Sequence, residues 1–196
     1  MKRLLLAVLV LAMLVSVTSF SNAQSKMSVG VGADLLLPMG TFGDAYSIGF
    51  GGSGRFQYDF TPMLAGGVNV GYYTFTAKEV AGISVKPKFS GLPITVYGKY
   101  YFMPEAAKAR VYGMAELGLF FWSSKVTLPS YTILGQTFGG GEESTTGSDF
   151  NLVPQVGVEF PIGKVTLDVA AQFDIIFTSN NSTSMVGLRA GVVFPI

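Results

Sequence analysis

The stretch GFGGSG, Gly49 to Gly54, matches the dinucleotide fingerprint G-x-G-x-x-G letter for letter. In that motif the glycines form a turn between a strand and a helix. The amides then converge on a pyrophosphate, and an acidic residue follows about 20 positions on. The flanking residues here do not allow such a turn. Ile48, Phe50, Phe56, Tyr58 and Phe60 hold one parity straight through the motif, which is the period of a strand, and no helical pattern follows. Gly49, Gly51, Gly52 and Gly54 therefore lie inside a strand, where glycine lets a narrow sheet bend and leaves room for large neighbours.

The remaining residues capable of chemistry are sparse. The chain has no histidine and no cysteine, so the commonest general base, the thiolate nucleophile and the soft zinc ligands are all missing. Asp168 and Asp174 invite a carboxylate pair, yet six residues along one strand separate them by roughly 20 Å, too far to share a proton. Glu142, Glu143 and Asp149 could face a cation, but their spacing follows no regular ligand pattern. No catalytic residue, metal site or cofactor is assigned.

The elements that position these residues begin with a leader. MKRLLLAVLVLAMLVSVTSFSNAQ opens with Lys2 and Arg3, continues with an apolar run from Leu4 to Val15, and closes on Ser21-Asn22-Ala23. This is the pattern of a secretory signal peptide over residues 1–23, cut between Ala23 and Gln24. Of the 13 basic residues two lie in this leader, so residues 24–196 carry a net charge of −1 against their 12 acids. That balance does not suit nucleic acid.

Only 13% of the chain is charged and 13% is aromatic, with 25 glycines; a soluble domain has about 25% charged residues. Residues 24–196 nevertheless read as one domain of eight alternating segments: 26–37, 47–60, 64–75, 91–102, 110–122, 151–160, 164–177 and 185–194. Each is close to the 9 to 11 residues that a tilted strand needs to cross a bilayer. Beyond Lys26 and Lys164 at the segment ends, every charge within them falls on the polar parity: Asp34, Arg55, Asp59, Lys99, Arg110, Glu116, Glu159, Asp168, Asp174 and Arg189.

Three features decide which parity is inside. The polar face is poor in charge and alternates glycines with Tyr73, Tyr97, Tyr101, Tyr112 and Phe120, a filling suited to a narrow eight-stranded lumen. The apolar face ends in aromatics, with Phe56, Tyr58, Phe60, Tyr100, Phe102, Phe160 and Phe194 toward one rim and Tyr72, Phe75, Phe121, Trp122 and Phe173 toward the other. Two membrane girdles are expected. Short connections at 61–63, 103–109 and 161–163 alternate with mostly longer ones at 38–46, 76–90, 123–150 and 178–184. The expected fold is all-β: an eight-stranded antiparallel up-and-down transmembrane β-barrel, with both termini and the short turns on the periplasmic side. Pro93 and Pro154 are expected near the starts of their strands, where a missing amide does least harm.

LPMGTF after the first strand, the turn YDFTPML, the strand LPITVYGKYYF and the terminal RAGVVFPI together resemble the small outer-membrane β-barrel family, the OmpA-like and OmpX-like eight-stranded proteins of Gram-negative bacteria. The resemblance covers nearly all of residues 24–196. It implies outer-membrane lipid as the environment, and periplasmic chaperones and the barrel-assembly machinery as partners in biogenesis. Arg189, Gly191, Phe194 and Ile196 look like that machinery's signal, although the family usually closes on an aromatic where this chain has Ile196. Acyltransferases, deacylases and proteases of this size class generally use a histidine, so a non-enzymatic role is expected.

Buried charges need partners, so Arg55, Lys99, Arg110 and Arg189 are expected to form a lumen network with Asp34, Glu116, Glu159, Asp168 and Asp174. Arg189 is expected opposite or diagonal to Gln172 and Asp174. Such a lumen is too narrow for a porin-type channel. The expected role is structural or surface-interacting, toward an extracellular partner reached through loops. KVTLPSYTILGQTF would prolong the fifth strand, and GGGEESTTGSD would be an acidic, mobile tip. One alternative is a conduit for small hydrophobic solutes, for which Met114 and Phe120 are the only lumen hints. Another is a soluble lipocalin-like periplasmic ligand binder with the two faces reversed.

Overall fold

In a computed structural model the chain forms a closed barrel in which each strand pairs with its sequence neighbours and β1 closes on β8. Residues 26–78, 87–105, 107–133, 136–178 and 182–196 are described, for 127–139 in their backbone alone. The leader and its cleavage site, Ala23 and Gln24, lie outside them.

The strands are β1 (Met27–Pro38), β2 (Tyr46–Thr61), β3 (Leu64–Ala77), β4 (Lys88–Tyr101), β5 (Arg110–Ile133), β6 (Gln136–Ile162), β7 (Val165–Phe177) and β8 (Ser182–Pro195). All eight pairings are antiparallel. Met27 faces Tyr58 and Ser28 faces Pro195, so both ends of the barrel chain lie at the end of the three short turns. Among the described residues no helix is long and apolar enough to cross a membrane, which says nothing of strands.

The apolar parity faces outward and the charged parity inward. Val96, Leu188 and Val156 are 60%, 58% and 54% exposed, whereas Lys99, Glu116, Asp168 and Arg189 are 2% exposed. A soluble cup needs the reverse arrangement, so the lipocalin-like alternative is discarded. An outward surface of this kind is stable against hydrocarbon, not water.

Several expectations need correction. Residues 38–46 include a six-residue helix, α1 (Gly40–Ala45), rather than loop alone. Phe75 and Trp122 point into the lumen, not toward lipid; Phe75 is 1% exposed and Trp122 packs against the same buried cluster. Pro93 and Pro154 do not lie near strand starts, because β4 begins at Lys88 and β6 at Gln136. Each interrupts one ladder instead. The β3–β4 pairing skips from Val70–Ile94 to Tyr73–Gly91, and β6–β7 from Leu152–Ile175 to Gln155–Gln172, because proline supplies no amide hydrogen.

The largest departure concerns residues 123–150. GGGEESTTGSD is not a tip but a paired part of β6, with Val126 opposite Glu143 and Thr127 opposite Glu142. Beyond Lys88–Lys125 and Phe150–Phe177 the two strands pair only with each other. They form a ribbon that rises roughly 25 Å above the wall at strand spacing.

Candidate functional site

The lumen is built in two layers, and residue type decides which layer forms where. Toward the short-turn end the inward positions are polar. Arg55 Nη2 donates to Glu116 Oε1 at 2.9 Å and Gln155 Oε1 at 2.8 Å, and its Nη1 lies 3.5 Å from Asp168 Oδ2. Glu116 also accepts from Gln155 at 2.7 Å, from Thr95 at 2.6 Å and from Asn69 at 3.0 Å. Lys99 Nζ donates to Glu159 at 2.7 Å and stands 4.4 Å from the centroid of Tyr112. The Tyr112 hydroxyl donates to Asp168 at 2.6 Å, and the Tyr101 hydroxyl to Glu159 at 3.0 Å. The cavity beside Arg55 and Lys99 holds about 10 Å³, the space of about one water.

Of the residues expected to form one network, the structure brings Arg55, Glu116 and Asp168 together and pairs Lys99 with Glu159; Arg110, Arg189, Asp34 and Asp174 are placed otherwise. Arg110 is half-exposed at the short-turn rim, where it lies 3.7 Å over the Tyr101 ring and donates to the Pro62 carbonyl at 2.7 Å. Arg189 faces Asp34 across β1–β8 and Ala170 across β7–β8, which makes it diagonal to Gln172 but two pairs from Asp174. Its Nη1 reaches Asn69 Oδ1 at 3.5 Å, while Asp34 accepts from Ser53 at 2.5 Å and Asp174 from Gln172 at 3.1 Å. Sequence reasoning also missed the neutral partners Ser53, Asn69, Thr95 and Gln155. Their inward parity was the available signal.

Toward the long-loop end the lumen turns apolar. Leu36, Tyr73, Phe75, Phe120, Ile176 and Met185 are buried together, with Phe42, Tyr46, Phe89 and Trp122 packed against them. Phe42 of α1 lies 5.4 Å from Phe75 and 5.1 Å from Phe89, and Phe89 stacks on Trp122 at 6.2 Å. The Trp122 indole donates to Asp149 at 2.7 Å. Of the two apolar lumen residues singled out in the sequence, Phe120 belongs to this layer, whereas Met114 sits among the tyrosines below.

Glu142, Glu143 and Asp149 do not converge. Glu142 and Glu143 are consecutive in β6 and face opposite ways, and Asp149 lies roughly 20 Å further along the strand. Among the described residues no group of acidic side chains could hold a metal ion.

A closed ring of eight strands with lipid-compatible outer residues and a charge-paired interior is the architecture of a membrane barrel. The family described as outer membrane protein beta-barrel domain matches residues 7–194. The chain belongs to this family. Its setting is therefore the outer membrane. Among solved structures it resembles Neisserial surface protein A, at 19% identity and a TM-score of 0.60 over 89% of this chain and 100% of that one. It also resembles a major outer membrane protein of Thermus thermophilus, at 15% identity and 0.58 over 86% and 98%. Ail, the attachment invasion locus protein of Yersinia pestis, matches at 18% and 0.51 over 88% and 100%. No curated protein matches. At such identities the likeness is one of fold.

Proposed function

We propose that this outer-membrane barrel is a surface-interaction protein whose contact element is the β5–β6 ribbon. The observation that carries the reading is that residues 126–133 and 136–143 pair only with one another above the barrel wall, leaving two open strand edges. Such edges accept an added strand from a partner. They are also an aggregation hazard, which proteins blunt with proline, bulges and charge. Proline and charge are here: Pro129 lies between the pairs Leu128–Gly141 and Ser130–Gly139, and Lys125 pairs with Glu142 at 3.0 Å.

The scaffold below the ribbon is suited to anchorage rather than transport. Its aromatic layer fills the mouth and its charge-paired layer fills the base, which disfavours the hydrophobic-conduit alternative. Export by the leader with cleavage at Ala23–Gln24, periplasmic termini, and recognition of Arg189, Gly191, Phe194 and Ile196 by the assembly machinery belong to the same proposal. So does the absence of catalytic chemistry.

The test is to express the full chain in a non-adherent Gram-negative host and measure adherence to immobilised fibronectin, laminin and collagen. A second strain carries the chain with residues 128–141 replaced by Asn-Gly. Adherence above the empty host, lost in the trimmed form while its heat-dependent gel shift persists, supports the proposal. Equal adherence of the two forms, or none by either, overturns it.

A further inference from the structure

The outer face of β4–β5 changes chemistry in a fixed order toward the long-loop end. Its facing pairs run Val96–Leu117, Ile94–Leu119, Leu92–Phe121, Ser90–Ser123 and Lys88–Lys125. From Phe102 at the opposite rim to Leu92 is 11 residues, the length of a membrane-crossing strand. The hydroxyl pair therefore sits at the lipid boundary and the lysine pair at headgroup height.

Two further observations mark this sector as a binding site. Two like charges directly opposite on neighbouring strands repel, and Lys88 and Lys125 are such a pair, with Glu142 at 3.0 Å from Lys125 as the one carboxylate that offsets it among the described ion pairs. Moreover, Lys78, Lys88 and Lys125 are the only cations among the described residues at the long-loop end, and all lie on β3–β5 or just beyond β3. Below them the wall holds a recess of about 470 Å³ between Tyr72, Leu92 and Phe121, with Ser90, Ser123 and Thr146 on its upper side. Gly91 and Gly147 thin its floor; behind Gly147 lies Trp122 and behind Gly91 lies Phe120.

We propose that this recess binds a phosphorylated amphiphile of the outer leaflet. Its acyl chain lies against Leu92, Phe121 and Tyr72, its headgroup hydroxyls meet the serine and threonine row, and its phosphate sits between Lys88 and Lys125. The phosphate offsets the lysine repulsion that the single Lys125–Glu142 pair leaves, and the lysine stems extend from the apolar edge to the charge. The proposal rests on the long-loop end facing outward and is independent of what the ribbon binds.

Trp122 is the chain's single tryptophan, so its emission reads the recess. The full chain, folded in phosphatidylcholine nanodiscs, is titrated with the bisphosphorylated acylated glucosamine disaccharide of Gram-negative outer leaflets, with its dephosphorylated form, and with inorganic phosphate. The expected result is a saturable change with the phosphorylated lipid, about tenfold or more weaker for the dephosphorylated lipid and for Lys88→Gln/Lys125→Gln, and absent with inorganic phosphate. Ser123→Phe, which fills the recess and keeps both lysines, is expected to abolish it, with bound lipid counted independently by native mass spectrometry. The heat-dependent gel shift certifies each variant as folded. Equal binding of both lipids, a full response to inorganic phosphate, or unchanged binding by folded Ser123→Phe overturns the proposal.

Discussion

At the residue scale the barrel depends on side chains that would be costly almost anywhere else. Lys99 and Glu159 are 2% and 5% exposed and bonded to each other at 2.7 Å. Removing one leaves an unpaired charge in the lumen, whereas replacing both with apolar groups of similar volume leaves none. Glu159→Met is therefore expected to destabilise the folded barrel by about 3–5 kcal/mol, and Lys99→Met/Glu159→Met to recover most of that loss. Urea titration of the gel-shift transition in lipid vesicles measures both; a double variant as weak as the single one would refute the pairing account. The glycines make a second test. A Cβ at Gly67 would collide with the Phe56 carbonyl oxygen and lie 3.0 Å from the Tyr97 ring, while one at Gly98 would meet nothing within 4 Å. Gly67→Ala should impair folding, and Gly98→Ala should stay within about 0.5 kcal/mol of the parent, as for ordinary surface changes.

At the element scale the strands were legible because lipid on one side and a packed lumen on the other impose strict alternation. A one-residue slip would turn every charge toward the bilayer. Legibility failed where that constraint ends. The ribbon beyond Lys125 and Phe150 pairs with no third strand, so the ring's alternation does not bind its sequence; it is rich in glycine, serine and threonine, and it reads as loop although it pairs. The mouth layer was missed for a different reason. Phe42, Tyr46 and Phe89 lie in or beside segments whose sequence reads as loop, and periodicity says nothing of where a loop aromatic folds back. The strand residues Phe75 and Trp122 carried the missing signal, since both share the parity of lumen residues. Because this layer joins α1, β3, β4 and β5 through ring contacts, truncating its buried centre should be felt by all of them. Phe120→Ala, which removes a fully buried ring lying over Gly91, is expected to cost about 3–5 kcal/mol. A loss under about 1 kcal/mol in the same urea titration would mean that the mouth closes by loop placement rather than by packing.

At the scale of the whole molecule, orientation in the bilayer is a thermodynamic property that position-specific charge can map. Val169 is 49% exposed and central in β7, whereas Phe60 is 58% exposed near the end of β2 beside a short turn. Water burial alone would rank the two alike. A hydrocarbon slab does not, because arginine facing lipid costs about 2–4 kcal/mol at the midplane and about 0–1 near an interface. Val169→Arg should therefore lower stability in vesicles by about 2–4 kcal/mol and Phe60→Arg by far less, beyond the ring contact Phe60 makes with Tyr58 at 5.2 Å. In detergent micelles, which deform around the protein, the difference should shrink. Equal losses at both sites in vesicles would show that the apolar face is covered by protein rather than lipid. The graded loss would instead fix the band between Phe60 and Phe121 as the membrane's footprint and place the lysines of β3–β5 at its outer edge.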